Sequence, residues 1–305
     1  MTRYLLLRLA QAVLVVWGVA SLVFVVLHLS GDPTLLMVPQ GAPLSAIVRL
    51  RHQLGFDRPL PVQYAAFVWQ LGHGDLGDSI WQDEPAMTVI GQRFPATAEL
   101  AGTALLIALA VGLGLGVPAA LARGGGFDRA VIALTLVGQA MPAFWLGLLL
   151  ILVFAVHLRW VPPSGTGGLS HLVLPALTLA ALPTATFARM ARAAVLEETT
   201  KDYVRTARAK GASRRRVTVR HLLRNASIPV ITVAAIEVAN LLGGAVITES
   251  VFAWPGIGRL LIDAIAARDY TLVQAAVLVG SVVFVLASLA ADVLYSVADP
   301  RIQLG

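Results

Sequence analysis

Apolar residues run through this chain in long stretches, not in the short alternations of a half-buried sheet. Crossing about 30 Å of hydrocarbon at 1.5 Å per residue takes about 20 mostly apolar residues. Six segments reach that length, at about 5–29, 100–122, 131–156, 172–190, 229–251 and 272–295. The pattern predicts an all-α polytopic membrane protein with about six transmembrane helices. Pro142, Pro175 and Pro183 are expected to break helices inside the membrane, the fourth segment twice. Arg3 and Arg8 stand at the start of the first segment, as in a secretory signal. Its apolar run is too long for one and no small-x-small site closes it, so it is read as a retained helix.

The spans divide the chain into an N-terminal helix (1–29), a hydrophilic element (30–99), a membrane core (100–296) and a short tail (297–305). The 30–99 stretch mixes Phe67, Trp69, Leu71 and Trp81 with turn residues and acids, which predicts a small folded element. Within the core, 191–228 is a polar loop.

Composition agrees with this division. The chain is 57% hydrophobic and 13% charged, with mean hydropathy +0.79. Soluble domains carry about 25% charged residues, so this exterior is expected to face lipid. There is no cysteine, which excludes disulfides and thiolate chemistry. The net charge of +6 does not call for nucleic acid, because eleven of the 23 Lys and Arg lie between Phe187 and Ile228. Basic residues concentrate in cytoplasmic loops. With both termini inside, sixteen Lys and Arg are cytoplasmic and seven outside, which makes 30–99 extracytoplasmic and 191–228 cytoplasmic.

In the basic loop, Leu196 to Lys210 is rich in helix formers, with acids early and bases late, as the helix dipole favours. Gly211 stands where a helix C′ residue would, and Ser213 where the next helix needs an N-cap. A short helix, a tight turn and a second helix entering the membrane at Pro229 is the expected arrangement. Tyr203, Val204, Ala207 and the small Ala209-Lys210-Gly211 run offer a surface for a protein groove. The alternative is a loop that is basic only for topology or for anionic lipid.

Asp202-Tyr-Val-Arg-Thr-Ala-Arg-Ala-Lys-Gly211, followed by Arg220-His-Leu-Leu-Arg-Asn-Ala226 and Pro229, resembles the signature of ABC importer permeases. The likeness is to the dipeptide/oligopeptide/nickel branch and spans essentially the whole chain. It includes His28-Leu-Ser-Gly-Asp-Pro33, Gly55-Phe-Asp-Arg-Pro-Leu-Pro-Val-Gln-Tyr64, Gly74-Asp-Leu-Gly-Asp-Ser79, Arg93-Phe-Pro-Ala-Thr97 and Met141-Pro-Ala-Phe-Trp-Leu-Gly147. Toward the end come Glu249-Ser-Val-Phe-Ala-Trp-Pro-Gly-Ile-Gly258, Arg268-Asp-Tyr270 and Asp299-Pro-Arg301. Ser30 departs from the family's usual proline, and Glu237 from its more usual neutral residue.

The resemblance implies a type I ABC importer-like fold in a bacterial plasma (inner) membrane and a path for peptides or a related small solute. It implies a second permease chain as heterodimer partner, two cytoplasmic ATPase subunits, and a solute-binding protein that delivers cargo. Asp202, Tyr203, Arg205, Thr206, Ala207, Ala209, Lys210 and Gly211 then form the helix that couples to the ATPase. No cofactor is expected on this chain; ATP and Mg2+ belong to the partner subunits.

Other residues sharpen or limit this reading. A carboxylate at membrane depth is costly unless it faces protein or water, so Glu237, with Asn240, Gly243 and Gly244, is the candidate for the path or its gate. An interhelical hydrogen bond is the alternative. Gly112, Gly114 and Gly116 permit close helix contact, with intrachain packing favoured over a dimer seam. Arg189 and Arg192 at the end of the fourth segment are accounted for by snorkelling. The six histidines show no metal-ligand spacing. Neither Lys201 nor Lys210 stands in a Walker A loop, so the chain itself is not expected to hydrolyse ATP. The rival is an ATP-independent secondary transporter or channel, which would need paired charges inside the membrane. Only Glu237 and Asp292 are available for that.

Overall fold

The computed structural model describes residues 2–29, 43–53 and 55–298. His28 and Leu29 are thus described, whereas Ser30–Pro33 and Asp299–Arg301 lie outside the described residues. The chain runs α1 (Thr2–Leu29), α2 (Leu44–Gln53), α3 (Leu60–Gly72), β1 (Asp78–Ser79), β2 (Glu84–Pro85), α4 (Ala86–Leu121), α5 (Gly126–Ala140) and α6 (Ala143–Leu150). A π-helical turn, Ile151–His157, continues α6. Then come α7 (Leu169–Thr199), α8 (Asp202–Ala209), α9 (Arg214–Val217), a second π-helical turn (Thr218–Leu222), α10 (Leu223–Val251), α11 (Ile257–Ala266) and α12 (Tyr270–Ala298). Among the described residues, five helices are long and apolar enough to cross a membrane, or six if α5 and α6 count as one bent span.

The bent pair corrects the expectation of a straight third span. The chain turns by 105° between α5 and α6. Pro142 pushes Met141 into an extended conformation, φ −82° and ψ 124°, which ends α5. Pro175 and Pro183 do not break α7, against expectation; both are buried inside one continuous helix. Proline survives within a membrane helix where neighbouring groups make good the lost backbone bond. The second span begins at Ala86 instead of Leu100, and at 36 residues α4 is about 54 Å long, more than a bilayer's hydrocarbon. The amphipathic α11 was not anticipated.

The core sits where α4 crosses α7 and α10. Leu100, Ala104, Ala108, Leu172, Ala176 and Phe187 are buried together there with Leu241 and Ala245. Small residues set this contact: a Cβ on Gly116 would lie 2.3 Å from the Ala188 carbonyl oxygen, and one on Gly112 2.6 Å from Phe187 Cβ. The glycines therefore serve intrachain packing, and Gly114 faces open space. Outward positions such as Leu14, Trp17, Leu22, Leu106, Leu134 and Leu286 are exposed, as lipid-facing residues must be.

The stretch before α4 leans on the spans. α3 buries none of its residues, and Trp69 and Trp81 are exposed. Phe67 and Tyr64 pack on Phe24 of α1, Tyr64 Oη lies 2.6 Å from Ser21 Oγ, and His28 Nε2 lies 3.0 Å from Gln63 Oε1.

Candidate functional site

The loop between α7 and α10 folds largely as its residue types dictate. Gly211 adopts φ +78°, the left-handed conformation that ends a helix, and its N–H reaches the Arg208 carbonyl at 2.9 Å. Ser213 caps α9 by accepting from the Arg216 N–H. Val204, Val217 and Leu222 form a small core of their own, with Tyr203, Ala207 and Ala212 packed against it. The Tyr203 hydroxyl donates to the Glu198 carboxylate, and Lys201 pairs with Glu197 at 2.9 Å. Burial, then the bond to Glu198, raises the Tyr203 pKa; the Glu197 contact raises that of Lys201. Both side chains therefore keep their neutral-pH protonation.

This arrangement sorts the eight candidate residues into two faces. Tyr203 and Ala207 turn toward the rest of the chain, as does Val204, which is buried and offers nothing to a partner. Asp202, Arg205, Thr206, Ala209, Lys210 and Gly211 are exposed, with the Asp202 and Arg205 side chains 94% and 85% accessible. The outward surface is thus polar and basic, continued by Arg208, Arg214, Arg215, Arg216 and Arg220.

On α10, Ile236, Asn240, Gly243 and Ile247 are exposed along one stripe, and Glu237 beside it is half-buried. Asn240 stands one turn on from Glu237 along the same helix. Gly244 lies within the helix, but its surroundings are outside the described residues. A stripe with an amide and a carboxyl at this depth suits a protein or water interface, not hydrocarbon.

Three polar junctions escaped the sequence, because each joins residues far apart in the chain. The Glu249 carboxylate, fully buried, accepts from Thr97 Oγ1 at 2.7 Å and from the Arg259 N–H at 3.0 Å. Thr97 Oγ1 in turn accepts from the Ile257 N–H at 2.9 Å, and the Trp254 indole donates to the Ala96 carbonyl at 2.8 Å. Glu249 thereby does for α11 what the side-chain-free N-cap, Gly256, cannot. A Cβ on Gly256 would lie 2.2 Å from Glu249 Oε1, so only glycine admits the carboxylate.

The second junction is Asp269, which caps α12 through the Leu272 N–H at 3.0 Å. It also accepts from Ser79 Oγ at 2.6 Å and the Trp81 N–H at 3.1 Å, holding the β1–β2 hairpin down. The third is an ion pair: Arg192 meets Asp128 through two bonds, of 2.5 and 2.9 Å, joining α7 to α5. Arg189 donates to Gln139 nearby. Both arginines are tied to α5, so snorkelling does not account for them. The signal available in sequence was the motifs themselves: Arg93–Thr97 meets Glu249–Gly258, and Gly74–Ser79 meets Arg268–Tyr270.

A bundle of apolar spans with a protruding basic helix and a polar stripe on one span defines a polytopic membrane protein of the transport type. Comparison with known proteins specifies it further. The family described as binding-protein-dependent transport system inner membrane component matches residues 112–304, and that family's N-terminal part matches 1–101. The chain belongs to this family. It is 39% identical to the dipeptide transport system permease protein DppB of Escherichia coli K12, with 99% of each chain covered. It is 41% identical to the di/tripeptide transport system permease protein DppB of Pseudomonas aeruginosa, again over 99% of each. Among solved structures, an inward-facing MetNI methionine ABC transporter chain matches with TM-score 0.62 at 20% identity, covering 71% of this chain and 99% of that one. That likeness concerns the fold. None of these relatives supports the ATP-independent alternative.

Proposed function

We propose that this chain is one of two permease subunits of an ATP-driven importer of short peptides. The observation that carries the reading is the two-faced α8: its apolar side is spent within the chain and its polar side stands free. The whole-chain likeness to dipeptide permeases supports peptide as the cargo. In this reading both termini and α8 are cytoplasmic, and the β1–β2 hairpin and α11 face the solute-binding protein. Two ATPase subunits, which hold ATP and Mg2+, grip the exposed residues from Asp202 to Gly211. Their closure tilts the spans, and nucleotide shifts the balance only because it binds the two states unequally. A related second permease chain packs against the α10 stripe, so that Glu237, Asn240, Gly243 and Gly244 border the path.

The test is reconstitution with the partner subunits and binding protein in vesicles. Dipeptide uptake is expected only with ATP and binding protein both present; uptake without ATP would overturn the reading. Glu237→Gln is expected to change uptake or basal ATPase activity, and identical values for both would remove Glu237 from the path.

A further inference from the structure

A cavity of about 250 Å³ lies between the β1–β2 hairpin, the first turns of α4 and α11, with Trp81, Arg93, Pro255, Gly256, Arg259 and Asp263 in its walls. Its walls are held firmly. Asp269 fixes the hairpin that carries Trp81, and the Glu249–Thr97 junction fixes the turn that carries Pro255 and Gly256. The charges are unequally used. Arg259 donates to the Ala253 carbonyl at 2.6 Å and stands 3.6 Å from Asp263. Arg93 is half-buried and, among the described residues, has no hydrogen-bond or ion-pair partner. The cavity thus holds one uncompensated guanidinium.

A partly desolvated guanidinium binds best to a planar anion that takes two of its N–H groups at once. Short peptides differ in every side chain but share a terminal carboxylate, which an importer of varied peptides can read without reading sequence. Resting on the importer reading above, we propose that Arg93 receives the C-terminal carboxylate of a short peptide at this cavity. Arg259 and Asp263 shape its polar rim.

The experiment uses the permease assembled with its partner subunits in nanodiscs, without binding protein, and dialanine or dialanine amide as probe. Saturation-transfer-difference NMR reads the bound peptide. Dialanine is expected to bind more tightly than its amide, and Arg93→Gln to weaken dialanine by about tenfold, the scale of one charge-assisted hydrogen bond. Arg93→Lys, which keeps the charge and guards against a folding defect, should restore part of that loss. Equal binding of acid and amide by the unaltered assembly would overturn the proposal, as would unchanged dialanine binding by Arg93→Gln. ATP-driven uptake, measured on the same assembly in vesicles with binding protein, separates the two claims. Its absence strikes the importer reading, whereas intact uptake with no carboxylate preference strikes only the site.

Discussion

Thr97 and Glu249 show how much one buried pair can hold. Thr97→Val removes a donor from the carboxylate and orphans the Ile257 N–H, each a loss of about 1–3 kcal/mol. It is expected to lower the unfolding temperature of the purified protein and loosen α11 in hydrogen exchange; unchanged exchange there would refute the junction. Arg192→Ala leaves the Asp128 carboxylate, 3% exposed, without its partner, while Asp128→Ala frees an arginine that is only 25% exposed. Each single change should therefore destabilise, although the Gly124 N–H still donates to Asp128 when Arg192 is lost. The double change should cost less than their sum. At this scale the sequence was readable where a residue acts alone. Gly211 and Ser213 reveal their caps because few residue types suit those backbone positions. Asp128 and Arg192 do not reveal each other, since 64 residues separate them.

Among the helices, proline was an unreliable guide. Pro142 ends α5 while Pro175 and Pro183 are absorbed into α7, and tertiary packing, not residue type, separates the cases. The ten-residue α11 was too short to register as a span, and its N-terminal N–H groups are capped by Glu249 of the preceding helix and by Thr97 of the distant α4. The motif that contains it was legible; its role as a lid over the Glu249 carboxylate was not. For α8, the docking on Val217 and Leu222 depends on a neutral Tyr203 phenol that donates to Glu198. Because the folded pKa is raised above its ordinary 10.0, this contribution is full below about pH 10 and lost as pH climbs through the folded value. Hydrogen exchange of α8 should therefore show level protection from pH 6 to 9, after correction for intrinsic rates. Tyr203→Phe should lower that protection by about 1 kcal/mol.

For the molecule as a whole, the hydrophobic pattern located the spans because each must satisfy its backbone internally and expose apolar side chains to lipid. It could not show the 105° bend, nor that α3 and the hairpin rest on α1 and α12, because these depend on contacts between distant segments. The close crossing of α4 and α7 is a property of the bundle. Gly116→Leu cannot be accommodated against Ala188 and should prevent assembly of the folded protein, seen as loss of a monodisperse peak in size exclusion. Gly114→Leu, facing open space, should be tolerated.

In the importer proposed above, the exposed face of α8 engages an ATPase subunit. The chain has no cysteine, so single cysteines can be placed without background. Thr206→Cys lies on the exposed face and Val204→Cys on the buried one. In membranes containing the whole assembly, a short bis-maleimide should join Thr206→Cys to an ATPase subunit bearing an accessible cysteine, and leave Val204→Cys unjoined. Cross-linking of Val204→Cys in place of Thr206→Cys, or of neither, would show that this face of α8 does not meet the ATPase.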